Sequence, residues 1–138
     1  MAGPVRDSLR MIREMAPQRR PGRWVFVSLP EAHPERPALA ARALASVREP
    51  EGLSVLIPAG EAARHGLGAE GPVMAHLMLG VHSALDGTGL TAAVSETLAA
   101  AGIACNVVAG CRHDHLFVPE ERADEALALL AARAGRDG

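Results

Sequence analysis

The sequence is poor in side chains that several functions depend on. Lysine is absent, and every one of the fourteen basic residues is arginine. One Trp and two Phe supply nearly all the aromatic surface, so the arginines have no interleaved rings on which bases could stack. No basic helix belongs to a known nucleic-acid motif either, so a nucleic-acid partner is not expected. The two cysteines, Cys105 and Cys111, are too few for a disulfide framework and read as reduced thiols. No apolar run reaches 18 residues, which leaves no membrane-spanning helix. The N-terminus lacks the apolar segment of a secretion signal, and the cytoplasm is the expected location. Catalytic signatures are also thin. There is no phosphate-binding loop of Walker type, and the Gly-Thr-Gly of residues 87–89 lacks the third glycine of a dinucleotide fingerprint. No nucleophile elbow surrounds Ser83.

What is present is a chain of 138 residues with net charge −2 and 49% hydrophobic content, enough to bury a core of closely packed Ala, Leu and Val. The charge is uneven. Residues 1–48 hold nine Arg against four acids, and residues 49–138 five Arg against twelve. GC-rich coding accounts for the use of arginine without lysine, and for the high Ala and Gly content, better than a binding device, and the early arginines read as a solvated surface.

The pattern predicts about six strands and four helices. Ser8 is the expected cap of a short helix carrying Leu9, Ile12 and Met15, stopped by Pro17. Gln18 to Gly22 has turn chemistry. Trp24 to Leu29 is an apolar strand, and Glu31 to Leu39, with Pro34 and Pro37, a loop. Ala43 to Glu49 is ambiguous by period; its helix-favouring alanines compete with the Pro-Glu-Gly turn that follows. Gly60 to His65 is a short helix closed by Gly66, and residues 68–72 form a linker.

The organising stretch follows. Val73 to Val81 is a strand and His82 to Gly89 a loop. Leu90, Val94, Leu98 and Ala101 then recur at helical spacing, with Gly102 at a left-handed C-cap. Ile103 to Ala109 and His115 to Val118 are strands. Pro119 opens a last helix with Ala123, Ala126, Leu127 and Leu130 inside, acids in its first turn and Arg133 and Arg136 at its end. Strand-helix-strand-strand-helix is a ferredoxin-like unit without its last strand. Either Trp24 to Leu29 or a partner chain is expected to fill that open edge.

Gly87 and Gly89 let a ligand approach the backbone. Free N–H groups at Gly89, Leu90 and Thr91 suit a carboxylate. Asp86 or Thr88 is placed to cap the helix, and Asp86 and Ser83 to meet an ammonium. The alternative is a capped strand-helix turn that binds nothing. Asn106, inside an apolar run, needs a partner if buried. His113 and His115 share a strand face, but two imidazoles are not a metal site, and no metal or cofactor is expected. Asp114 between them suits turn hydrogen bonds, and these residues are also placed to reach the loop. Cys105 reads as a small buried residue. Ser83, His82 and Asp86 are the residue types of a catalytic triad without its surrounding motif.

Several runs resemble a known family. Val81 to Ser95 (V-H-S-A-L-D-G-T-G-L-T-A-A-V-S), Ala101 to Gly110 (A-G-I-A-C-N-V-V-A-G) and His113 to Pro119 (H-D-H-L-F-V-P) are similar to the C-terminal half of small stand-alone bacterial ACT-domain proteins. These have two ACT-like halves and are related to aspartate-kinase regulatory domains and cytosolic arginine sensors. R-W-V-F-V-S-L-P from Arg23 and R-E-P-E-G-L-S-V-L-I-P from Arg48 extend the likeness to about residues 15–130. Cys111 and Arg112 stand where the family usually shows an aromatic pair.

The resemblance decides the ambiguous segment as a hairpin, Ala43 to Glu49 and Leu53 to Ile57. It implies an α+β protein of two ferredoxin-like halves, residues 1–68 and 69–138, with antiparallel sheets and helices on one face, an arrangement that allows strands to be exchanged between the halves. It further implies a regulatory module that binds a free amino acid without catalysis, as a homo-oligomer. The implied ligand residues are His82, Ser83, Asp86, Gly87, Thr88, Gly89, Leu90, Thr91, Asn106, His113 and Asp114. A small enzyme acting on an amino-acid derivative and a ligand-free structural oligomer are the alternatives.

Overall fold

A computed structural model describes residues 3–136. The elements run α1 (Ser8–Arg13), β1 (Pro17–Leu29), α2 (Arg36–Arg42), β2 (Ala45–Glu49), β3 (Gly52–Pro58), α3 (Ala59–Arg64), β4 (Met74–Leu79), α4 (Leu90–Ala100), β5 (Asn106–Ala109), β6 (Asp114–Pro119) and α5 (Ala123–Gly135). A single 3-10 turn, Glu120–Arg122, leads into α5. The chain forms two compact units. One combines the described residues up to Pro21 with those from Ala75 onward, and the other is Gly22–Met74.

In the Gly22–Met74 unit, β3 lies between β2 and the later part of β1, antiparallel to both. Val25, Val27 and Leu29 alternate along β1 and meet Val55 and Ile57 of β3. Leu39 of α2 and Ala62 of α3 close this core. The β2–β3 connection is the two-residue turn Pro50-Glu51, as the hairpin reading expects. Gly52, which follows it, has φ +149°, and a Cβ there would lie 2.4 Å from the Leu29 carbonyl oxygen. Gly52→Ala should therefore cost roughly 2–4 kcal/mol, through backbone strain plus displacement of β1. The midpoint of urea unfolding measures it.

In the other unit the sheet order is β1-β4-β6-β5, with β5 and β6 antiparallel. Ala75, Leu77 and Leu79 of β4 and Leu116 and Val118 of β6 point to one face. There they meet Leu90, Val94 and Leu98 of α4, Ala123, Ala126 and Leu130 of α5, and Met11, Ile12 and Met15 of the α1 segment. The α4 and α5 stripes read from sequence are buried, Ala101 and Leu127 only partly, whereas Leu9 of α1 is 52% exposed and Met11 takes its place in the core. Gly102 takes φ +70° after α4, as a left-handed cap requires.

Several expectations need correction. The open edge of this unit is filled by the chain itself, but not by Trp24 to Leu29, which pairs with β3. The preceding residues do it. Gly80 N–H donates to the Ala16 carbonyl at 3.0 Å and Val81 N–H to that of Met15 at 3.3 Å, and β1 neighbours β4. Gln18 to Gly22 is thus strand rather than turn; prolines are tolerated where their missing N–H costs no ladder bond. Residues 36–42 are helix, because Pro37 falls in the first turn, where no N–H is needed. The cap of α1 is Asp7, which accepts from the Arg10 N–H at 2.8 Å, and not Ser8.

Candidate functional site

Three elements converge at the start of α4. The loop leaving β4 is fastened by the N-terminal segment. Val5 N–H donates to the His82 carbonyl at 2.7 Å and Ala84 N–H to the Val5 carbonyl at 2.8 Å, a short parallel bridge. Gly87 N–H turns back to the Ala84 carbonyl at 3.0 Å. Gly89 stands at the N-cap of α4 with φ +105°, and no side chain accepts from the N–H groups of the first helical turn. These donors keep the positive end of the helix dipole open. The tight β5–β6 turn, closed by Gly110 N–H to the His113 carbonyl at 2.9 Å, brings Asp114 to the same place.

Between them lies a cavity of about 160 Å³. Met11, Ala84, Leu85 and Leu90 form its apolar wall. Gly87, Gly89 and Thr91 supply the helix-entry side, and Ser83, Ala109 and Asp114 the opposite one. Ser83 Oγ donates to Asp114 Oδ2 at 3.2 Å, which fixes the carboxylate at the rim. Leu85 is 69% exposed beside the opening.

Of the residues singled out in the sequence, Ser83, Gly87, Gly89, Leu90, Thr91 and Asp114 line this cavity. His82 contributes its carbonyl to the Val5 bridge instead. Thr88 is exposed and caps nothing, and Asp86 is turned outward to Arg6 at 3.0 Å. Asn106 is exposed at the first position of β5, opposite Phe117, rather than in the middle of a strand. His113 Nδ1 lies 3.1 Å from the Leu79 carbonyl and 3.3 Å from that of Val81. Carbonyls only accept, so Nδ1 carries the proton, and the ring staples the end of β4 where the loop begins. The Ser83–His82–Asp86 group is not assembled, since its hydroxyl serves Asp114 and its carboxylate serves Arg6. Met11 and Ala109 escaped sequence reasoning, because only the fold brings α1 and the end of β5 to the loop.

On the other sheet face, His76 and His115 meet at 2.9 Å, Nε2 to Nδ1, and His76 stacks on Phe117 at 4.9 Å between centroids. His76 is 6% exposed. Burial, then the neighbouring His115 and Arg20, bring its pKa down to about 4. His115 is lowered too, by burial first and then by His113 and Arg20, against a raising effect of Asp114. One proton between the two facing nitrogens satisfies both. Among the described residues no group of three or more His, Cys, Asp or Glu is arranged to hold a metal. Burial pushes the Cys105 thiol up to about 11, so it stays protonated. Among the described residues no helix is long and apolar enough to cross a membrane.

Comparison with known proteins agrees with this architecture. ACT-domain family models match residues 5–74 and 76–132. A Vibrio cholerae protein of unknown function, described as a possible transport protein, has a similar structure at TM-score 0.80. It is 36% identical, with 91% of this chain and 94% of that one covered. An Agrobacterium tumefaciens protein is similar at TM-score 0.68 and 21% identity, covering 86% and 88%. The regulatory subunit of aspartate kinase from Thermus flavus shares the fold at TM-score 0.59 and 14% identity, covering 86% and 96%. No protein of curated function matches the sequence.

Proposed function

Because the chain belongs to the ACT-domain family, we propose that it is a regulatory module that binds a free α-amino acid and passes the bound state to a partner, without catalysis. The observation that carries this reading is the cavity where an uncapped helix start faces a carboxylate. The N–H groups of residues 89–91 suit the ligand carboxylate, and Asp114, held by Ser83, suits its ammonium. That exchanges the expected role of Asp86 for Asp114, since Asp86 is engaged by Arg6. The shared fold of the aspartate-kinase regulatory subunit supports a regulatory role for this architecture. We further infer a homo-oligomer working in the cytoplasm. The outer strands β2 and β5 leave ladder groups available for pairing.

The test is thermal unfolding with each of the twenty amino acids at millimolar concentration. A ligand present at a hundred times its Kd stabilises by about 2.7 kcal/mol, a melting shift on the order of 5–10 °C. Silence from all twenty would put the ligand-free structural oligomer first. Gly89→Val is a poor control for this site, because a Cβ at residue 89 would lie 2.9 Å from Ser8 Cβ and push on α1. Asp114→Asn keeps the shape and removes only the charge.

A further inference from the structure

We propose, resting on the amino-acid reading above, that this cavity selects small amino acids with uncharged side chains and rejects acidic, basic and bulky ones. The argument is one of charge and room. Asp114 is the only charged side chain among the residues that line the cavity. Once it holds the ammonium of a ligand, an acidic side chain would meet a second negative charge and no cation. Arg6, the arginine tied to this loop, is engaged with Asp86 and lines no part of the cavity. A basic side chain finds no second carboxylate, because Asp86 is turned away to that same arginine.

Room sets the other limit. The cavity has a volume of about 160 Å³. This is below the ~300 Å³ at which pockets for larger ligands begin. The inner wall does not yield easily. Met11 is 1% exposed and its Cε stands 3.1 Å from where a Cβ on Gly87 would be, so the thioether already fills the space behind the loop. Leu90 and Ala84 beside it are buried. The wall is apolar and short, which suits a hydrogen, a methyl or a hydroxymethyl group.

The experiment is isothermal calorimetry on the full chain with glycine, alanine, serine, aspartate, glutamate, lysine, leucine and phenylalanine. Glycine, alanine or serine should bind at least tenfold more tightly than any of the other five. Asp114→Asn should weaken the small ligands at least tenfold while leaving the unliganded melting temperature within a few degrees. Met11→Ala should move preference toward leucine. Aspartate, glutamate, lysine, leucine or phenylalanine binding as tightly as the small ones would overturn the selectivity and leave the amino-acid reading standing. No binding by any of these eight overturns the selectivity, and silence from all twenty in the thermal screen overturns both.

Discussion

A fragment of residues 75–138, made without residues 1–21, should show no cooperative unfolding transition. Its sheet already lacks a strand in the sequence, and the N-terminal segment also supplies a large share of the core. Met11, Ile12 and Met15 are at most 5% exposed among α4, α5 and β4, and Val5 is 8% exposed. Burial of side chains of this size contributes about 1.5–3 kcal/mol each. The four together therefore match the roughly 5–15 kcal/mol by which a whole domain is stable. The fragment also loses the strand beside β4 and the Val5 bridge that shapes the ligand loop. Circular dichroism through a thermal ramp reads the result, and adding a peptide of residues 3–21 should restore a transition. A sharp transition near that of the intact chain, with no peptide present, would show the segment to be dispensable.

The second large effect is acid lability centred on His76. In the folded protein its pKa is lowered to about 4, and the unfolded chain returns it to an ordinary value near 6.5. Between these two values the unfolded state binds a proton that the folded state refuses. Stability from the neutral ring is therefore complete above about pH 6.5 and is lost as pH falls toward 4. A difference of this size is worth about 3 kcal/mol. His115, also lowered, acts in the same direction, and the pair titrates as a unit. Urea unfolding at pH 7 and pH 4.5 should show a much steeper loss for the native chain than for His76→Leu, which keeps an apolar contact with Phe117. Equal losses in both would place the acid sensitivity on other groups.

The C-terminal βαββα unit was legible in the sequence almost entire, because its signals are local. Helical spacing marked α4, Gly102 marked its end, and the apolar runs marked β4 and β6. The start of β1 was not. Pro17, Pro21, Gly22 and three arginines have turn chemistry, and only a neighbour far along the chain makes them a strand. The same limit applies at the cavity. Ser83, Gly87, Gly89, Leu90 and Thr91 sit in one run whose loop-then-helix pattern names them. Asp114 read as a turn residue within reach of the loop and became a ligand residue through the family resemblance, and Met11 was not singled out at all. Asn106 misled because an amide within apolar letters suggests burial, while here it stands at the exposed end of a short strand. His76 showed no partner in sequence, since His115 and Phe117 lie on another strand.

The bridge between Val5 and Ser83 also fixes when this protein can be completed on the ribosome. Val5, Met11, Ile12 and Met15 are synthesised long before Leu130 of α5, one of the groups that bury them. At ~5–20 residues per second, synthesis of the intervening chain takes on the order of ten seconds. For that interval the nascent chain carries an uncovered apolar segment. Such a segment suits capture by a holding chaperone, and a bulky group attached ahead of Val5 would stay tethered beside the ligand loop.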